Sequence, residues 1–213
     1  MTRSRLALLI LLAASTVGCD QSSAVPGSPG PTLPTAAAPR HTALKVVAPK
    51  PVDPTIPPVW LSTLHAKWCV SKVGDPFPAT ELPRLGGSLT KLSSLYGQQA
   101  TVVLFWQDDR WMSRMALDDL AQHVAADLDS EQVAVVGIAV GQSAGAAQRL
   151  LSEVKADFPQ LLDSSGSALA EVGSVALPRL YVLDPAGKIV WFDIEYSEST
   201  RRELVRTLDV LVK

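Results

Sequence analysis

The chain has 213 residues, with 19 basic and 21 acidic side chains, sixteen prolines and two cysteines. That length suits one medium-sized domain with appendages and is short for two. A formal charge of −2 with no basic cluster excludes binding of the nucleic-acid type, so no nucleic-acid partner is expected.

The first residues, MTRSRLALLILLAASTVGCD, combine a short basic segment, an apolar stretch and small residues before Cys19. Residues 1–18 therefore predict an export signal whose apolar part is too short for a spanning helix. Its end, TVGC, resembles the lipobox of bacterial lipoproteins, which implies a lipidated Cys19 and a membrane held through that anchor. Thr16 departs from the Leu usual three positions before the cysteine, so cleavage by an ordinary signal peptidase is the alternative. Without Arg3 and Arg5 the chain carries 17 basic and 21 acidic residues, a net charge of −4. With Cys19 lipidated, Cys69 is the only thiol left and no internal disulfide can form.

Residues 19–58 hold ten of the sixteen prolines among Ala, Ser, Thr and Gly. Such a composition buries too little surface to offset its ordering entropy and predicts a disordered tether. Fully extended at about 3.1 Å per residue, it would reach roughly 100 Å. Residues 59–71 follow as a short segment in which Trp60, Leu61, Leu64 and Trp68 recur at helical spacing, predicting an amphipathic helix that docks on the domain.

The remainder, residues 72–213, reads as one α/β domain. TVVLFW is a buried strand, residues 110–128 a helix with the apolar stripe Met112, Leu117, Leu120, Val124 and Leu128, and VAVVGIAV a second buried strand. A second helix is expected over residues 143–157. LPRLYVLD and KIVWFDIE then form two strands around the turn residues PAG, and residues 200–211 a closing helix with Thr200 and Glu203 as its capping box. The order is a βαβ half followed by a ββα half. Asp108 and Asp109 are expected to cap the first long helix, with an ion pair between one of them and Arg110 as the alternative.

KVGDPFPATELPRLGGSLTKLSSLYGQQATVVLFW and FPQLLDSSGSALAEVGSVALPRLYVLDPAGKIVW occur in this order with a helix-rich insert between them. In this the chain resembles the redoxin branch of the thioredoxin-like superfamily, the TlpA and ResA type and the related AhpC/TSA-type thiol peroxidases. The resemblance implies a thioredoxin-like fold with a central mixed β-sheet flanked by helices. It also implies a Cys-x-x-Cys after Phe105 and Trp106, at the start of the first long helix. Here that register holds Arg110, Trp111, Met112 and Ser113, with Arg110 in the nucleophile position and Ser113 in the resolving one. A guanidinium stays protonated and cannot attack sulfur, and a hydroxyl has no thiol–disulfide couple. No Thr-x-x-Cys of the peroxidatic kind stands there either. Pro178 corresponds to the family's cis-proline, and Leu177 before it to the residue that offers its backbone to an extended peptide. Arg179 stands where Thr is commoner and is expected, with Arg110, to set two cations around the former groove.

The candidate binding residues are therefore Trp106, Arg110, Trp111, Leu177, Pro178 and Arg179. No catalytic residue is assigned, and whether the chain is an enzyme stays open. Cys69, one helical turn after His65, is the alternative reactive thiol. No cofactor is expected, and the spacing of His41, His65, Cys69 and His123 assembles no zinc-type metal site. The leading expectation is an exported, membrane-tethered, redox-inactive domain that binds a protein or peptide partner. The alternatives are a thiol-disulfide oxidoreductase or peroxidase acting through Cys69, and a structural spacer.

Overall fold

The computed structural model describes residues 55–212. The signal segment, Cys19 and the tether up to residue 54 lie outside the described residues. Thr55 to Pro58, read as the end of the tether, lie within them. Pro57 is buried and Ile56 packs on the core, because an Ile beside two prolines brings apolar surface and little chain entropy to lose.

The first helix, α1 (Thr63–Lys67), starts at Ser62, whose hydroxyl accepts the His65 N–H at 3.0 Å. It buries none of its residues, and Trp60 and Leu64 stand 80% and 55% exposed. The expected docking face is thus turned outward. Leu61 and Cys69 make the packing contacts instead, and Cys69 bridges Gly173.

A short antiparallel hairpin, β1 (Glu81–Pro83) and β2 (Leu89–Lys91), precedes the main sheet. β3 (Ala100–Trp106) leads into α2 (Trp111–His123), β4 (Val133–Val140), α3 (Ala144–Val154), β5 (Gln160–Asp163) and α4 (Ser167–Val172). β6 (Arg179–Leu183), β7 (Ile189–Ile194) and α5 (Glu198–Leu211) complete the domain. The sheet order is β5-β4-β3-β6-β7, with β3, β4 and β5 parallel and β6 and β7 antiparallel to their neighbours. β3 is central and covered on both faces, which is why Val102 to Trp106 form an unbroken apolar run.

On one face α2, α3 and α5 pack Leu117, Leu120, Leu150, Leu204 and Leu208 against Val102, Leu104 and Trp191. The other face carries an aromatic row. Phe77 and Phe105 have ring centroids 6.3 Å apart, Phe105 and Tyr181 6.1 Å, and Tyr181 and Phe192 5.6 Å. Between β6 and β7, Asp184 accepts the Ala186 and Lys188 N–H groups, and Gly187 supplies the positive φ of +78° that the turn requires.

Three helix ends differ from expectation; α3 stops at Val154, before Lys155 at a left-handed φ of +56°. α2 ends at His123, because the Val124 and Ala125 N–H groups both turn back to the Leu120 carbonyl. α5 begins at Glu198 under a capping box of Ser197 and Thr200, so Thr200 is the inner partner of the box and Glu203 has no part in it.

Candidate functional site

At the C-terminal end of β3 the chain turns through Gln107 to Arg110 and enters α2. The N-cap residue of α2 is Arg110, in extended conformation and with no side-chain cap bond. Asp108 and Asp109 therefore do not cap the helix. Asp109 instead holds the Arg110 guanidinium at 3.3 Å, and the Asp108 N–H donates to Gln142 Oε1 at 2.8 Å. Both members of the Asp109–Arg110 pair are more than half exposed, so it contributes about 0 to 1 kcal/mol. Ser113 is fully buried, and its hydroxyl accepts the Gln107 N–H at 3.2 Å. That bond ties the turn to the first helical turn. Among the described residues the Ser113 hydroxyl makes no hydrogen bond to a His or carboxylate side chain that would activate it as a nucleophile.

Opposite this turn the loop before β6 approaches, and the Leu177–Pro178 peptide bond is cis, as the family resemblance implies. A groove of about 330 Å³ lies between the two, lined by Trp68, Asp109, Arg110, Trp111, Met112, Val175, Ala176, Leu177 and Glu195. Trp111 is 67% and Val175 70% exposed, both large apolar side chains facing solvent. The Leu177 N–H and C=O make no hydrogen bond with the described residues, whereas the Pro178 carbonyl accepts the Glu195 N–H at 2.8 Å. The structure thus brings Arg110, Trp111 and Leu177 together around one groove, while Pro178 is buried and does not line it.

Two expected binding residues lie elsewhere. Trp106 has no exposed surface; its indole N–H donates to Gln160 Oε1 at 3.0 Å, so it belongs to the core. Arg179 is also fully buried and does not face the groove with Arg110. It pairs with Phe105 in the sheet, which turns its side chain onto the aromatic face beside Tyr181 and Cys69. The expected pair of cations around the groove is therefore absent.

Cys69 lies behind the groove wall that Trp68 forms. Its thiol donates to the His65 carbonyl at 3.4 Å, and Arg179 Nη1 stands 3.7 Å from its sulfur. It occupies no helix N-terminus. Burial pushes the Tyr181 phenol up, partly offset by the Arg179 guanidinium, whose Nη1 donates to its oxygen at 3.4 Å. Among the described residues no three His, Cys, Asp or Glu side chains are arranged to hold a metal ion, and no helix is long and apolar enough to cross a membrane.

The sequence reading missed Val175 and Glu195. Both line the groove and both have positive φ, +65° and +69°. The only signal in the sequence is indirect: Val175 stands two residues before Leu177, and Glu195 directly follows β7.

The model of one protein family, the AhpC/TSA family, matches residues 73–192. The chain belongs to the AhpC/TSA family. Its structural neighbours share the thioredoxin-like fold. A candidate protein disulfide isomerase from Bacteroides thetaiotaomicron superposes with a TM-score of 0.63 at 19% identity, over 68% of this chain and 94% of its own. The thioredoxin domain of a thiol-disulfide oxidoreductase from Bacteroides vulgatus gives 0.58 at 19%, over 67% and 99%. A secreted disulfide oxidoreductase from Mycobacterium tuberculosis, homologous to E. coli DsbE, gives 0.52 at 21%, over 63% and 96%. No curated protein matches the chain. Within this AhpC/TSA domain, Arg110 and Ser113 occupy the helix start where the resemblance places a pair of cysteines.

Proposed function

We propose that this AhpC/TSA domain is a redox-inactive binding module, exported and held at a bacterial envelope through Cys19, whose groove takes an extended peptide segment of a partner protein. The observation that carries the reading is the unpartnered backbone of Leu177. Its N–H and C=O are free of partners among the described residues, in a groove flanked by exposed Trp111 and Val175. A peptide laid along the groove gains two backbone hydrogen bonds there and buries apolar surface on both sides. The absence of thiols at 110 and 113 removes the exchange chemistry and leaves recognition. Export draws support from the signal-like N-terminus and from the secreted neighbour.

The competing reading is a thiol reaction at Cys69, favoured by the guanidinium 3.7 Å from its sulfur. An immobilised library of short extended peptides, probed with the protein, separates the two. Binding that falls with Trp111→Ala and Val175→Asp and is indifferent to Cys69→Ser supports the module. Insulin reduction by dithiothreitol that runs above the uncatalysed rate, and returns to it with Cys69→Ser, would establish the thiol enzyme instead.

A further inference from the structure

We propose that Arg179 is the positioning residue of the groove: a buried guanidinium that ties the two groove walls together and holds Val175 in its left-handed conformation. The functional meaning of this proposal rests on the groove reading above. Nη2 of Arg179 donates to the Trp68 carbonyl at 2.8 Å and to the Ser174 carbonyl at 2.6 Å, and Nε donates to the Ala176 carbonyl at 3.1 Å. Trp68 lines one wall of the groove, and Val175 to Leu177 line another. One side chain therefore spans both.

Three features make this more than a satisfied core residue. First, Arg179 has no carboxylate within ion-pair distance among the described residues, although it is fully buried. A buried charge without a counter-ion is costly and persists only where several oriented dipoles face it, here backbone carbonyls brought from both walls. Second, the carbonyls of Ser174 and Ala176 flank Val175, a β-branched residue at φ +65°. That conformation is an outlier for such a side chain and needs its surroundings to enforce it. The fork of Arg179 grips the chain on both sides of it, and the Val175 side chain stands exposed at the groove as a result. Third, Gly173 leaves the space the guanidinium needs. A Cβ there would lie 2.4 Å from Nη1 and 2.4 Å from the Trp68 carbonyl oxygen. Lysine cannot replace this arrangement, since a single ammonium lacks the planar fork that reaches carbonyls in divergent directions.

The test uses the full chain carrying Arg179→Lys or Arg179→Met, read by site-resolved amide hydrogen exchange. The reporters are the Ser174 and Ala176 N–H groups, which donate to the Trp68 carbonyl at 2.8 Å and the Ser174 carbonyl at 2.9 Å. Both should exchange at least about tenfold faster in the variants, while β3 and β4 amides keep their wild-type rates. Unchanged loop amides overturn the proposal. So does equal acceleration of loop and central strands, which would make Arg179 a general core residue. Should both variants fail to fold, Arg179→Gln, which keeps a planar amide donor without the guanidinium fork, is read in the same way. The exchange result does not depend on any ligand. If the wild-type protein binds no library peptide, the groove reading fails while the clamp is still decided by exchange. If peptides bind, Trp111→Ala should abolish binding with loop exchange unchanged, and Arg179→Lys should weaken binding about tenfold with loop exchange accelerated.

Discussion

Introducing cysteines at positions 110 and 113 asks whether this helix start can serve as a redox scaffold. Arg110→Cys removes only the half-exposed pair with Asp109, a loss of about 0 to 1 kcal/mol. Ser113→Cys replaces a buried hydroxyl that accepts the Gln107 N–H at 3.2 Å with a weakly accepting sulfur, at a cost of about 1 kcal/mol. The double variant should therefore fold. The N-cap of α2 stabilises an exposed thiolate by about 0.3 to 1 kcal/mol, which lowers the thiol by roughly 0.2 to 0.7 of a pH unit from the free-cysteine value of about 8.5. Asp109, freed from Arg110, opposes that shift. The introduced thiol should titrate close to an ordinary cysteine and react slowly. Oxidation should yield one internal disulfide that dithiothreitol reverses, visible as a thiol-labelling mass shift, with slow catalysis of insulin reduction. Adding Asp109→Asn should lower the thiol pKa and speed the reaction. A double variant that folds yet forms no bond between positions 110 and 113, or pairs one of them with Cys69, would refute the register on which the site rests.

Trp106→Phe removes the indole that satisfies Gln160 Oε1 and leaves that buried amide without a partner, its Nε2 already having none. Stability should fall by about 1 to 3 kcal/mol, read as a lower urea midpoint at unchanged m-value. Burial raises the Asp193 carboxyl, only partly offset by hydrogen bonds from Thr200 and the Ile194 N–H. The folded state thus holds this proton more tightly than the unfolded chain. Its stabilisation is present at low pH and is lost as pH rises from the ordinary carboxylate value of about 3.9 through the folded one. Asp193→Asn should flatten that part of the pH–stability profile, and an unchanged slope would sink the assignment. Cys19→Ala should abolish metabolic labelling with palmitate and release the protein from membranes; equal labelling of both forms would contradict the lipobox reading.

Long, strongly patterned elements are legible in the sequence. β3, β4, β6 and β7 are apolar runs long enough to have no competing reading, and α2, α3 and α5 carry helical stripes. What escapes is short or exposed. β1 and β2 have three residues each and mostly face solvent, and β5 has four residues with no alternation. Caps escape because several side chains near a helix start can accept an N–H, and tertiary contacts choose among them; Asp109 is drawn away by Arg110, and Ser197 outcompetes the expected cap of α5. The same limit applies to the site. Its position along the chain is readable, since Gln107 to Ser113 follow β3 directly. The direction of Arg179 is not, because in a strand buried on both faces the sequence does not say which neighbour a side chain opposes. Only pairing with Phe105 places it on the aromatic face.

That pairing bears on how the helix start beside the groove should be understood. The N-terminus of α2 leaves the Trp111 and Met112 N–H groups without an acceptor among the described residues. The polar groups of the turn before it do have partners: Gln107 N–H on the Ser113 hydroxyl, Asp108 N–H on Gln142, and the Arg110 guanidinium on Asp109. On the far side, Arg179 occupies the space that Gly173 leaves and holds the loop carrying Val175 and Leu177. Each of these contacts ties down one wall of the groove, and the Leu177 backbone between them has no hydrogen-bond partner among the described residues. A rigid frame around an unpaired peptide unit suits recognition of an extended chain, because little entropy remains to be lost when the partner binds.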